Sequence, residues 1–247
     1  MIKITDTVKH LIIINVLLWV AATFAFPSLQ ELFALYYPAN PKFGFWQFVT
    51  SMFMHSQTLY VHIIFNMLGI WMFGSPLEQI WGRNKFLFFY FSAGIGAGLI
   101  YTGVNYFQFQ GLYSSFLEMG VNPEDLHQTL ISGRGVGTVS LLPTEKVQEL
   151  YNIFNTPAVG ASGALYGVLV AFGMKFPDAK LALIFFPVPV AAKYFIPGLI
   201  AIDLISGLTG RSLFGDGIAH FAHVGGAVVG LLIMLYWKKT EFKRWDR

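Results

Sequence analysis

Ser162 lies in the stretch NTPAVGASGALYG, residues 155–167, at the head of an apolar run. If a helix begins there, the hydroxyl lies beside unpaired backbone N–H groups and the partial positive charge of the helix N-terminus, where an anion is stabilised. A serine in such a place is a candidate nucleophile for acyl chemistry. The alternative is that Ser162 is only a small filler on a packing face formed with Gly160, Gly163 and Gly167.

A histidine in the last apolar run is the candidate general base. His223 lies one turn after His220 in the stretch HFAHVGGAVVG, and a histidine inside a membrane segment is costly enough to suggest a function. Gly226 and Gly230 follow on the same helix face, which therefore carries little side chain and allows close approach to the glycine-rich helix of Ser162. The alternative is a histidine with a purely structural role.

His62 and Asn66 form the third polar group. They lie four residues apart on one face of a segment that otherwise contains Ile, Phe, Leu and Met. Two side-chain donors near Ser162 would form an oxyanion hole together with its backbone N–H, and each such donor typically lowers the barrier by about 3–4 kcal/mol. The alternative is an interhelical hydrogen bond that only stabilises the bundle.

The elements that must position these residues are predicted to be membrane-spanning helices. The chain has 247 residues, of which 55% are hydrophobic and 12% charged, and its mean hydropathy of +0.58 is too high for an ordinary soluble domain. The absence of cysteine excludes disulfides, thiolate metal sites and a cysteine nucleophile. Six apolar runs approach the length of a bilayer span and predict a single all-α membrane domain over 1–247, with spans at about 10–26, 60–74, 86–106, 160–174, 194–209 and 219–237.

The charges of the loops predict the orientation. Only four of the 16 Lys and Arg residues lie in predicted outer segments, namely Lys42, Arg134, Lys146 and Arg211, as the positive-inside rule requires for six spans with both termini in the cytoplasm. The N-terminal run lacks a small-residue cleavage site and is interpreted as a retained span. The net charge of +3 therefore reflects topology, the basic C-terminal segment is expected to contact anionic lipids, and no pattern typical of nucleic-acid binding occurs.

The fourth span is predicted to be short. Pro157 precedes it and Lys175 and Pro177 follow it, which leaves about 15 residues, or ~22 Å, against a hydrocarbon core of ~30 Å. Lys175 and Asp178 hold the cytoplasmic end at the interface, so the end that carries Ser162 is the submerged one. Irregular backbone at that depth requires protein or a water-filled cavity around it, and we expect a polar cavity that opens to the outer side.

Three segments that link the predicted spans have distinct sequence patterns. Residues 27–58 are rich in aromatic residues and are expected to lie in the interface. Residues 107–157 are more polar and predict an outer-side insertion with two amphipathic helices, the first capped by Asn122. The proline-rich apolar stretch before the fifth span is too short to cross the bilayer and is interpreted as an interfacial connection on the cytoplasmic side.

Taken together, the motifs resemble those of the rhomboid family of intramembrane serine proteases. The matching residues are His62-x-x-x-Asn66 in the second span, Gly160-Ala161-Ser162-Gly163 with Tyr166 in the fourth, His223-x-x-Gly226-x-x-x-Gly230 in the sixth, and Glu78 and Gly82 of LEQIWG after the second span. They occur in the family's order over nearly the whole chain, which makes their joint occurrence specific.

The resemblance implies a six-transmembrane-helix rhomboid bundle that hydrolyses peptide bonds in or near transmembrane segments of membrane-protein substrates. Ser162 would be the nucleophile and His223 the base of a dyad without an acid. The oxyanion site would consist of His62, Asn66 and the Ser162 amide, and Tyr166 would pack against His223. No cofactor and no metal is implied. The substrate would enter laterally beside the fifth span, in what we expect to be a bacterial cytoplasmic membrane with the site open to the outer side.

Three other places in the sequence carry separate expectations. Glu78 is expected to bond backbone groups around a chain reversal at Gly82. The family often has Trp-Arg in the first outer loop, where this chain has Trp46 and Gln47. Asp203, the only acid inside a predicted span, is interpreted as a structural or gate-region partner and not as a third catalytic member.

Two other functions compete with proteolysis. The first is a metal-dependent membrane enzyme or transporter that uses imidazoles of His55, His62, His220 and His223, although the sequence contains no H-E-x-x-H motif and offers no evident neighbouring carboxylate. The second is a catalytically silent rhomboid-like protein that binds membrane clients without cutting them. Such proteins usually lack the serine or the histidine, and this chain has both.

Overall fold

The computed structural model describes residues 3–183, 186–210 and 219–245, and Arg211 and Arg247 lie outside the described residues. The described helices are α1 (Asp6–Val20), α2 (Ser28–Phe33), α3 (Gln47–Thr50), α4 (Tyr60–Gly69), α5 (Ser75–Trp81), α6 (Arg83–Glu118), α7 (Pro123–Ser132), α8 (Thr144–Asn155), α9 (Ser162–Lys175), α10 (Ala192–Thr209) and α11 (His220–Trp245), and two strands are β1 (Lys180–Leu183) and β2 (Phe186–Ala191). Five-residue π-helical turns, Ala21–Ala25 and Ile70–Gly74, extend α1 and join α4 to α5.

The prediction of an all-α membrane bundle is confirmed. Within the described residues, five helical stretches are long and apolar enough to cross a membrane: Asp6–Ala25, Tyr60–Trp81, Arg83–Glu118, Ala192–Thr209 and His220–Thr240. The sixth apolar helix, α9, has 14 residues and is therefore only about 21 Å long. Each predicted span overlaps a helical stretch, and α9 is the short one.

The short helix α9 lies at the centre of the bundle. Its side chains from Gly163 to Leu169 are buried on every side, which explains why it is apolar all round. The helices at the periphery of the bundle instead expose large apolar side chains, such as Leu17 of α1 and Leu208 of α10, as a lipid-facing surface requires.

Glycines allow α9 and α11 to meet at backbone distance. A Cβ at Gly226 would collide with the carbonyl oxygen of Gly163, and a Cβ at Gly230 would lie 2.6 Å from the Cα of Gly167. Neither position leaves room for a side-chain carbon, so both require glycine. We call this contact of Gly163 and Gly167 with Gly226 and Gly230 the glycine seam. It brings the N-terminus of α9 against the first turns of α11.

The segment between the third and fourth predicted spans forms a second, smaller core. α6 does not end near 106 as expected but continues to Glu118, and its 36 residues, about 54 Å, reach well beyond the ~30 Å hydrocarbon core. Its extension packs Phe116 against Leu126 of α7 and Leu150 of α8. Asn122 caps α7 as its sequence suggests, accepting a hydrogen bond from the backbone N–H of Glu124 at 2.9 Å.

The connection between α9 and α10 is a β-hairpin, which the sequence analysis did not predict. β1 and β2 pair antiparallel, with Lys180 opposite Ala191 and Leu181 opposite Val190. An apolar stretch that is too short to span the bilayer satisfies its backbone N–H and C=O groups by pairing with itself.

Glu78 acts at a different place from the one expected. The bond around the reversal at Gly82, where φ is +74°, is made by the backbone carbonyl of Glu78 at 2.8 Å and not by its carboxylate. The carboxylate accepts from the hydroxyl of Thr5 and from the backbone N–H groups of Thr7 and Val8, each at 3.1 Å. It therefore caps the N-terminus of α1 from across the bundle.

Gln47 organises the loop between α1 and α4. Its buried amide accepts a hydrogen bond from the backbone N–H of Tyr36 at 3.2 Å and donates to the carbonyls of Leu32 at 3.2 Å and Lys42 at 2.7 Å. One neutral side chain thus ties three parts of the loop together.

Candidate active site

The chain enters α9 through a glycine that no other residue can replace without strain. Gly160 has φ of +122°, in a region that favours glycine, and a Cβ there would lie 2.8 Å from Nε2 of His62. Its N–H donates to the carbonyl of Ser51 at 3.0 Å, which fixes the entry to the helix. α9 then begins at Ser162, so the hydroxyl lies at the N-terminal turn of the helix as expected.

Ser162 and His223 meet directly. Nε2 of His223 lies 2.8 Å from Oγ of Ser162, although the residues are 61 positions apart in the chain. Tyr166, one turn after Ser162, stacks on the His223 ring with centroids 4.3 Å apart and planes 11° from parallel. The glycine seam between α9 and α11 brings the backbones close enough for this contact.

His62, on α4, lies beside Gly160 at the entry to α9. Its Nδ1 accepts a hydrogen bond from the backbone N–H of Ser56 at 3.3 Å. A neutral imidazole that accepts at Nδ1 carries its proton at Nε2, and Nε2 is the atom that faces Gly160. His62 therefore directs an N–H donor at the N-terminus of α9.

Asn66 is buried one turn further along α4. Its side-chain N–H donates to the carbonyl of His62 at 2.8 Å, while its Oδ1 has no hydrogen-bond partner among the described residues. One amide N–H thus orients the side chain on its own helix and the other is left for a second acceptor.

His55 lies beside this group. Its ring centroid is 5.1 Å from that of His62, and burial, followed by the charge of His62, holds the pKa of His55 at about 3. A ring with this pKa is neutral at physiological pH. The four histidines considered for a metal site form two pairs, His55 with His62 and His220 with His223.

Asp203 lies beside the candidate base. Its carboxylate on α10 is 2% exposed, and Oδ1 lies 3.2 Å from Nδ1 of His223 and 2.5 Å from Nδ1 of His220. Tyr166 donates its hydroxyl hydrogen bond to Oδ2. Asp203, which the sequence suggests to be a structural or gate-region partner, thus contacts the imidazole of the candidate base. The expectation that no carboxylate lies near the histidines is wrong for the same reason.

Asp203, His220 and His223 are also the group that could hold a metal ion within the described part of the chain. One ligand atom from each lies within 4.8 Å of the others. Two imidazole nitrogens and a carboxylate are ligands that Zn²⁺ accepts. The same atoms are also satisfied by hydrogen bonds among themselves, so the group needs no ion to be stable.

These features define a multi-pass helical membrane protein that encloses a serine–histidine pair at the N-terminus of a short helix. The sequence profile of the Rhomboid domain matches residues 42–112 and 124–239, which is most of the chain. The chain therefore belongs to the rhomboid family.

Its curated relatives have modest identity. It is 27% identical over 243 residues to the mitochondrial presenilin-associated rhomboid-like protein A of Danio rerio and 28% identical over 244 residues to the mitochondrial presenilin-associated rhomboid-like protein of Homo sapiens, covering 95% of this chain and 50% of each relative. It is 28% identical over 199 residues to rhomboid protease AarA of Providencia stuartii, covering 77% of this chain and 55% of that protein. The chain thus spans about half the length of the relatives it matches. Most of the relatives are named as mitochondrial proteins, which conflicts with the expectation of a bacterial cytoplasmic membrane.

Proposed function

We propose that this protein is an intramembrane serine endopeptidase that cuts in or near transmembrane segments of membrane-protein substrates. The observation that carries the proposal is the 2.8 Å contact between Oγ of Ser162 and Nε2 of His223 at the N-terminus of α9. Family membership and the similarity to a relative named a rhomboid protease support it.

The reaction would run through an acyl-enzyme. His223 takes the proton of the Ser162 hydroxyl as the oxygen attacks the scissile carbonyl, and then gives it to the leaving amine. Water repeats the sequence and releases the second product. A serine and a neutral histidine suit this location because they cost less to bury than an isolated charge.

The developing oxyanion would be held by three N–H donors near the N-terminus of α9. The backbone N–H of Ser162 belongs to the unpaired first turn of α9, and the Nε2–H of His62 faces the same turn. The second amide N–H of Asn66 is the third donor. Donors fixed before the reaction are worth about 3–4 kcal/mol each, which is why this arrangement favours acyl transfer.

Substrate would reach the site from within the membrane, beside α10, and no cofactor would take part. A short α9 leaves room above its N-terminus for water and for an unwound segment of a substrate helix.

Cleavage of a purified single-span reporter in proteoliposomes tests the proposal, together with labelling by a fluorophosphonate probe. We expect both in the wild type and neither in Ser162→Ala or His223→Ala. Ser75→Ala is the matched control, because Ser75 is a buried serine on α5 outside the site. Labelling that persists in Ser162→Ala would place the nucleophile elsewhere. A folded wild-type protein that binds the reporter without cutting it would instead favour the silent, client-binding function.

A further inference from the structure

Asp203 is the described acid that lies deepest in the bundle next to the proposed catalytic pair. Both of its oxygens are used, Oδ1 by Nδ1 of His220 and of His223, and Oδ2 by the hydroxyl of Tyr166. A carboxylate that is 2% exposed in a membrane protein is costly unless donors surround it, and three donors do so here.

The carboxylate and Ser162 lie on opposite sides of the same imidazole. Nδ1 of His223 is 3.2 Å from Asp203, and Nε2 is 2.8 Å from Ser162. When Nδ1 carries the proton and donates it to the carboxylate, Nε2 is left with the lone pair that must accept the serine proton. When the imidazolium then forms, the negative charge beside Nδ1 stabilises it.

We propose that Asp203 is a positioning residue for this reaction, so that the protein uses a Ser162, His223 and Asp203 arrangement in place of a dyad. This inference rests on the proposed function. Asp203 acts through His223 by fixing its tautomer and ring orientation and by stabilising the charge that the ring acquires.

Two neighbours hold the carboxylate in place. Tyr166 stacks on the His223 ring and also donates to Asp203, so one side chain fixes both partners. Gly207, one turn after Asp203 on α10, admits the Phe221 ring of α11, since a Cβ there would lie 3.1 Å from that ring. The close packing of α10 on α11 therefore sets the distance between the carboxylate and His223.

A purely structural role is the competing explanation, because the carboxylate also links α9, α10 and α11. The structural role and the positioning role predict different relations between catalytic rate and thermal stability. His220→Leu removes one bond to Asp203 but leaves the His223 contact, whereas Asp203→Asn replaces the charge that His223 faces. Under a structural role, both variants would lose rate in proportion to their loss of thermal stability.

We therefore propose to measure kcat, KM and melting temperature for the reporter in proteoliposomes. For Asp203→Asn we expect kcat to fall at least about 100-fold, with KM within about threefold, because the tautomer and the charge are lost while substrate contacts remain. For His220→Leu we expect less than a tenfold fall in kcat at a similar loss of melting temperature. Asp203→Glu should recover more rate than Asp203→Asn. Ser206→Ala, a buried serine on the same helix, is the control and should match the wild type.

The wild type supplies a second readout that does not depend on a variant folding. In protein labelled with ¹⁵N-histidine, the His223 signals, assigned by their loss in His223→Ala, should report a proton on Nδ1. A proton on Nε2 in the free protein would overturn the inference, as would an Asp203→Asn variant whose kcat stays within threefold of the wild type while Ser162→Ala is inactive. If the folded wild type neither cleaves nor reacts with the probe, the proposed function itself fails, and the inference falls with it.

Discussion

Substituting alanine for Gly226 should separate the proposed catalytic pair without touching either member. The added Cβ would collide with the carbonyl of Gly163, the residue after the proposed nucleophile. Carbon needs about 3.5 Å from its neighbours, so the two helices must move apart by more than about 1 Å at this level. His223 lies only three residues away on the same face, and the 2.8 Å contact with Ser162 opens by a similar amount. A misplacement of about 1 Å costs on the order of 100-fold in rate.

The assay is the rate of fluorophosphonate labelling and of reporter cleavage, with melting temperature measured in parallel. Gly230→Ala should give a smaller loss, because its Cβ meets the Cα of Gly167 at 2.6 Å and lies one turn further from the site. Gly103→Ala on α6 is the matched control, since a Cβ there meets nothing within 4 Å, and it should keep full activity. Wild-type labelling by a folded Gly226→Ala variant would refute the idea that the glycine seam sets the Ser162 to His223 distance.

Four further outcomes are expected. Glu78→Gln should lower the free energy of unfolding by about 2 kcal/mol, measured by denaturation in mixed micelles, while kcat stays within threefold, because it weakens the cap of α1. Gln47→Ala should lower the free energy of unfolding by about 2–3 kcal/mol and speed proteolysis of the loop between α1 and α4, because three hydrogen bonds are lost. His55 has a pKa of about 3 in the native state against 6.5 ordinarily, so the unfolded chain binds its proton first. Stability should therefore fall as pH drops from about 6.5 towards 3, by up to about 1.4 kcal/mol per pH unit, and His55→Phe should flatten that part of the profile. A chelator should leave cleavage unchanged; its loss, with recovery on adding Zn²⁺, would instead indicate a metal held by the Asp203 group.

The features that could be predicted from the sequence are those carried by local spacing. The short α9 follows from the proline and lysine that bound its apolar run, and the seam with α11 follows from glycines one turn apart on each helix. His62 and Asn66 share a face because four residues make about one helical turn. In each case both members of the pair can be recognised from nearby residues in the sequence. Pairing them therefore requires no knowledge of how each helix is rotated about its axis.

The features that could not be predicted depend on helix rotation and on partners distant in the chain. Asp203 reaches His223 only because α10 turns that face towards α11, and an apolar helix gives little periodic signal about which face is buried. Glu78 finds its partners about 70 positions away, at the start of α1. The sequence alone does not predict the extension of α6, because bilayer thickness limits a membrane span but not a helix that continues into a second core.

The buried charge and the close backbone contact depend on each other. Asp203 is tolerable inside the bundle only if α9 and α11 bring it three donors, and they can do so only where glycine lets the helices approach. A larger residue in the α9 and α11 seam would therefore do two kinds of damage, because it would open the contact between Ser162 and His223 and also leave a carboxylate short of donors. We expect stability and catalytic rate to fall together for substitutions in the seam, and rate to fall much further than stability for Asp203→Asn. A difference of that kind between the two sets of variants separates the packing of this site from its chemistry.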